Sequence, residues 1–151
     1  MKITTEQIKK LREACGAGVM ECRRALEEAE GNEQKALEIL RKKGMEVAEK
    51  KKERELKAGI IECYSHGGKV VSVVELLSET DFVARNEEFK ALAHELAMQV
   101  AAMNPQNVEE LLDQPYIREP GKTVLDLINE LIGKIRENIQ IGRIARFELG
   151  E

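Results

Sequence analysis

Along the first 44 residues, apolar positions recur at helical spacing in three short stretches separated by glycine. Ile8 and Leu11 share one face of a first helix, which Thr4 or Thr5 can cap. The run Cys15-Gly16-Ala17-Gly18 breaks it with a tight turn. A second helix, Val19 to Glu30, carries Met20, Leu26 and Ala29. Gly31 suits a left-handed stop and Asn32 suits the next N-cap. A third helix holds Ala36, Leu37, Ile39 and Leu40 and is expected to stop at Lys42-Lys43-Gly44. From Met45 to Lys57 the apolar residues Val47, Ala48 and Leu56 form no continuous stripe. Glu46 with Lys50 and Glu53 with Lys57 are spaced to pair along a charged linker helix.

The period then changes. Residues 59–66 and 69–77 are rich in β-branched side chains and flank His66-Gly67-Gly68-Lys69, which predicts a β-hairpin with a glycine turn. The second strand is nearly all apolar, so both of its faces are expected to be covered. A helix from about Asn86 to Met103 places Phe89, Leu92, Leu96 and Val100 on one stripe and ends at Asn104-Pro105. Residues 107–112 can add another turn or two, residues 114–122 read as a loop, and Leu127, Leu131 and Ile135 are in phase on a helix from Thr123 to Glu137. Residues 139–149 alternate as a closing strand. The expected fold class is α+β: a three-helix bundle (1–44), a linker helix (45–57), and an antiparallel sheet of at least three strands backed by helices (58–151).

Composition narrows the function. The 151 residues include 42% hydrophobic and 34% charged side chains, no tryptophan and 3% aromatics. So few rings offer little for stacking single-stranded nucleic acid. The formal net charge is −4, but Arg41 to Lys57 holds eight Lys/Arg against four Glu, leaving −8 elsewhere. That run reads as a solvated helix face rather than a contact for an anionic surface. Cys15, Cys22 and Cys63 are odd in number and form no CxxC, so neither a disulfide framework nor a zinc site is suggested. The opening residues lack the apolar core of a signal peptide, and no run of about 18 apolar residues exists. A reducing cytoplasm is the expected location.

Chemistry was sought at several places. Gly121-Lys122-Thr123 resembles the end of a phosphate-binding loop, but Tyr116 stands where its first glycine belongs. His66 and His94 have no ligand spacing. Cys15 sits where a helix ends, the wrong end to lower a thiol pKa. No catalytic site, metal or cofactor is expected, and the architecture points to binding instead. The residue that raises the sharpest question is Phe82, at a strand-to-helix junction. Thr80 can cap a turn there and Asp81 favours a helix N-terminus, so the ring is either core or presented to a partner.

Three blocks carry a family resemblance. Residues 80–89, TDFVARNEEF, resemble the most specific segment of the elongation factor Ts family. Residues 11–44 resemble its opening module, with Cys15 where threonine is common and Val19 where methionine is common. The hairpin 64–76 and residues 143–151 fit as well. The resemblance implies a ubiquitin-associated-like first module and guanine-nucleotide exchange on the GTPase elongation factor Tu. It implies that Leu11, Arg12, Val19 and Met20 contact the GTPase. It implies too that Thr80, Asp81, Phe82 and Val83 form an exchange loop whose ring disturbs the magnesium and phosphate site. After residue 106 the chain is shorter than longer members, which leads to the expectation of a homodimer through the core. No direct nucleic-acid or membrane contact is expected. The alternative is a passive interaction module without exchange activity.

Overall fold

The computed structural model describes residues 2–151. Two units emerge: the chain up to Lys51 together with Asn129–Arg136, and Lys52–Ile128 together with Glu137–Glu151.

In the first unit, α1 (Thr5–Cys15) opens on a reciprocal cap. The Thr4 hydroxyl accepts the Gln7 N–H at 3.2 Å, and the Gln7 side chain accepts the Thr4 N–H at 3.0 Å. Gly16, in the left-handed region at φ 70°, ends α1 and donates its N–H to the Arg12 carbonyl at 2.7 Å. Helix α2 (Val19–Glu28) stops two residues earlier than its apolar pattern suggests, because the chain turns through Glu30 and Gly31, both at positive φ. The Asn32 side chain then accepts the Lys35 N–H and opens α3 (Glu33–Lys51). Leu11, Cys22, Ala25, Leu26, Ala29 and Ala36 form the core, with Ile8, Leu37 and Leu40 packed around it. Small residues dominate that list, so the helices approach closely over a thin core.

Gly44 does not end the third helix. Helix α3 runs through it for 19 residues, absorbing the first half of the expected linker helix; residues 52–57 are irregular. The reason is packing. A Cβ on Gly133 would lie 3.3 Å from the Gly44 Cα, and one on Gly44 would lie 3.4 Å from the Asn129 carbonyl oxygen. The glycine pair lets two backbones approach where any side chain would separate them.

The second unit is built on a three-stranded antiparallel sheet in the order β1 (Ala58–His66), β2 (Val70–Ser78), β5 (Ile139–Glu148). Gly67 and Gly68, at φ 60° and 70°, make the hairpin turn between β1 and β2. Gly59 pairs with Leu77, and a Cβ there would run into the Leu76 carbonyl oxygen, so only glycine fits. Ser72, Val74, Leu76 and Ser78 of β2 are buried on one face. That face is covered by the one-turn α4 (Asp81–Ala84) and by α5 (Glu87–Met103), whose Phe89, Leu92, Leu96 and Val100 are buried as their spacing predicts.

The opposite sheet face differs from expectation. Val71, Val73 and Leu77 of the central strand are only half-buried. Beside them Ile61 is 68% and Phe147 is 71% exposed. The apolar run of β2 therefore has one covered face and one open one.

After α5 come α6 (Val108–Asp113) and a small hairpin, β3 (Pro115–Tyr116) with β4 (Glu119–Thr123), where the sequence predicted a loop. Remote side chains hold it. The Gln99 amide oxygen accepts the Ile117 N–H, its NH2 donates to the Pro115 carbonyl, and the Tyr116 hydroxyl donates to Glu95 at 2.6 Å. Burial and the adjoining Glu95 push the Tyr116 phenol well above its ordinary range. Thr123 and Asp126 cap α7 (Val124–Ile135) reciprocally, which accounts for the hydroxyl of the apparent phosphate-loop remnant. Lys122 meanwhile pairs with Glu119. Among the described residues the structure has seven helices and is mixed α and β, as predicted, and no helix is long and apolar enough to cross a membrane.

Candidate functional site

The segment between β2 and α5 leaves the sheet and re-enters helix within a few residues. Its backbone is held at each step. The buried Ser78 hydroxyl donates to the Thr80 carbonyl at 2.9 Å. The Thr80 hydroxyl accepts the Val83 N–H at 3.3 Å and caps α4. Val83 and Ala84 are buried beneath the turn, and Asn86 caps α5 by accepting the N–H groups of Glu88 and Phe89. With both sides of the turn pinned, Phe82 projects outward: 87% of its surface is exposed. Asp81 beside it is exposed as well.

The ring's neighbourhood is held by residues far along the chain. One oxygen of the Glu137 carboxylate accepts the N–H groups of both Glu79 and Thr80, each at 3.1 Å; the other accepts the Thr80 hydroxyl at 2.8 Å. In return, the Glu79 carboxylate accepts the Asn138 N–H at 2.9 Å and lies 3.6 Å from the Arg54 guanidinium. Asn138 is itself buried and donates from its amide to the carbonyls of Lys52 and Arg54. These partners satisfy backbone groups that the end of a strand would otherwise leave orphaned. Glu79, Glu137 and Asn138 were not legible as site residues, because their partners lie 57 to 59 residues away and no local spacing connects them.

In the first unit, Arg12, Val19 and Met20 are exposed near the turn between α1 and α2. Gly18 opens α2 by donating its N–H to Glu21 at 3.2 Å, which sets Val19 and Met20 on the outer side of the first turn while Cys22, Ala25 and Leu26 face the core. Glu21 is also ion-paired with Arg136. Leu11 departs from expectation: it is 3% exposed and packs in the bundle core, so its side chain has no surface to offer a partner. Val83 likewise faces inward and supports the turn instead of lining its surface.

Burial pushes the Cys22 thiol up to about 12, with Cys15 adding to the effect, so it stays protonated and donates to the Ala17 carbonyl. Among the described residues no group of three His, Cys, Asp or Glu side chains could hold a metal ion. What this surface offers is a rigidly mounted, solvated ring beside a carboxylate, which is an arrangement for recognition.

Comparison with known proteins agrees with where the ring lies. A family model described as Elongation factor TS matches residues 79–151, beginning just before the turn. Elongation factor Ts of Finegoldia magna is 42% identical over 99% of this chain and 91% of that protein. The proteins of the same name from Thermodesulfovibrio yellowstonii and Thermotoga maritima are 41% and 43% identical over all of this chain and 98% of theirs. These alignments run over 203, 195 and 195 positions against 151 residues here, so the relatives carry internal segments that this chain lacks. With identity at this level along the full length of the chain, and the family's own match falling on the Phe82 turn, the chain belongs to the elongation factor Ts family.

Proposed function

We propose that this translation elongation factor is a guanine-nucleotide exchange factor for elongation factor Tu. The observation that carries the reading is Phe82, whose ring is solvated on a turn fixed from both sides in a member of this family. Asp81 and Phe82, with Thr80 and Val83 holding their backbone, enter the GTPase near its magnesium and phosphate site. Arg12, Val19 and Met20 of the ubiquitin-associated-like first module contact the same partner, and Leu11 supports them from beneath. Burying one phenylalanine contributes about 1.5–3 kcal/mol, one to two decades of affinity. Displacing a tightly held nucleotide takes more, so the ring acts together with the other contacts. The coupling is reciprocal: weakening GDP binding by this protein means that GDP weakens binding of this protein to the same degree. No covalent step and no cofactor is required, and the activity belongs to the cytoplasm, with neither nucleic acid nor membrane as a direct partner.

The test is release of a fluorescent GDP from purified elongation factor Tu, with and without this protein. Faster release at substoichiometric amounts is expected. Binding without acceleration would favour a passive interaction module and overturn the exchange reading.

The open face of the sheet favours a second proposal, a homodimer through the core. Ile61 and Phe147 stand exposed on it around half-buried Val71 and Val73, with the Glu75–Arg143 ion pair at its centre. Sheets normally stack with such faces together, about 10 Å apart.

A further inference from the structure

We infer that Glu137 is a positioning residue for Phe82: its carboxylate holds the ring-bearing turn in the presented geometry and acts on the partner GTPase only through that turn. The inference rests on the exchange reading above and deepens it.

Helix α4 is a single turn of four residues, too short to persist on its own hydrogen bonds. What keeps it formed is the rotamer of Thr80, whose hydroxyl must point at the Val83 N–H. Glu137 fixes that rotamer by accepting the hydroxyl proton, while its other oxygen takes the two N–H groups that precede the helix. One carboxylate thus satisfies three donors across the two residues where β2 ends, and Phe82 follows two residues later. The carboxylate is itself held in place. Asn138, its chain neighbour, is tied to the Glu79 side chain and to the carbonyls of Lys52 and Arg54, so the two strand ends grip each other reciprocally. Ser78 adds a second hold on the Thr80 carbonyl, so loss of Glu137 loosens the turn without releasing it from the sheet.

The experiment compares wild type, Phe82→Ala, Glu137→Ala, Glu137→Gln and the Phe82→Ala/Glu137→Ala double variant in the GDP-release assay across factor concentrations. Glu137→Ala is expected to lower the maximal acceleration by on the order of tenfold, as loss of charge-assisted hydrogen bonds at a partly exposed site would. The half-saturating concentration should move by less than about twofold, because the remaining contact surface is intact. Glu137→Gln keeps an oxygen for the two backbone donors and should recover part of the loss. In the Phe82→Ala background, Glu137→Ala should add less than about twofold, the non-additivity of two residues acting through one element. The chain has no tryptophan, so Phe82→Trp gives a single-site probe. Adding Glu137→Ala should increase its local motion in time-resolved anisotropy, in the absence of any partner.

If wild type fails to accelerate release, the exchange reading falls and takes this role with it. If wild type and Phe82→Ala differ but Glu137→Ala matches wild type, only the role of Glu137 falls. It falls equally if its effect is fully additive with loss of the ring, if Gln is no better than Ala, or if the tryptophan is as ordered without Glu137 as with it.

Discussion

Two phenylalanines seven positions apart make opposite demands on the fold, and replacing each by alanine separates presentation from packing. Phe82 is 87% exposed, so Phe82→Ala removes almost no packing from the free protein. A surface change of this kind is worth about 0.5 kcal/mol or less, a Tm shift of about 2 °C or less for a chain of this size. Phe89 is fully buried under α5, and Phe89→Ala should cost about 3–5 kcal/mol, enough to lower Tm by roughly 6–20 °C. On the partner the order reverses. Nearly the whole Phe82 ring is available for burial there, so its loss should slow stimulated GDP release by about one to two decades in stopped-flow measurements with a fluorescent nucleotide. Phe89→Ala, assayed where it remains folded, should act only through the fraction unfolded. A folded Phe82→Ala protein with an unchanged release rate would remove the ring from the mechanism. A loss of stability in Phe82→Ala comparable to that of Phe89→Ala would refute the claim that the ring is presented at all.

Gly133→Leu forces a side chain against the Gly44 Cα and should destabilise by about 1–3 kcal/mol in thermal unfolding; an unchanged Tm would mean the two helices part freely. Cys63 is exposed and should be alkylated quickly at pH 8, whereas buried Cys22 should react slower by on the order of a hundredfold, followed by mass spectrometry; equal rates would refute the packing of α2. Because the folded Cys22 pKa is raised from 9.0 to about 12, its contribution to stability is full below pH 9.0 and is lost as pH rises towards 12. Phe147→Glu should convert a dimer to monomer in sedimentation velocity without changing the fold, and a wild type that stays monomeric at every concentration would remove the dimer proposal.

Local chemistry was readable from the sequence. Thr4, Thr80 and Asn86 cap the helices they were expected to cap, because an N-cap needs only its own neighbours three residues on. The hairpin and its glycine turn were equally plain. Gly44 misled because glycine has two uses, as a helix stop and as a site of close backbone approach, and the second depends on residues 129–133. The β3–β4 hairpin was missed for a similar reason: its order comes from Gln99 and Glu95 on α5. The turn at Phe82 was half legible. Its cap and its ring could be read, but the burial of Leu11 and the grip of Glu137 are properties of tertiary contact.

The first unit is discontinuous in the chain, with Asn129–Arg136 grouped with residues that precede Lys52. During synthesis at about 5–20 residues per second, the opening helices therefore wait on the order of ten seconds for the segment that completes them. Until then the glycine seam on α3 lies bare on the nascent chain, which makes the emerging bundle a client for whatever shields unfinished polypeptide at the ribosome exit.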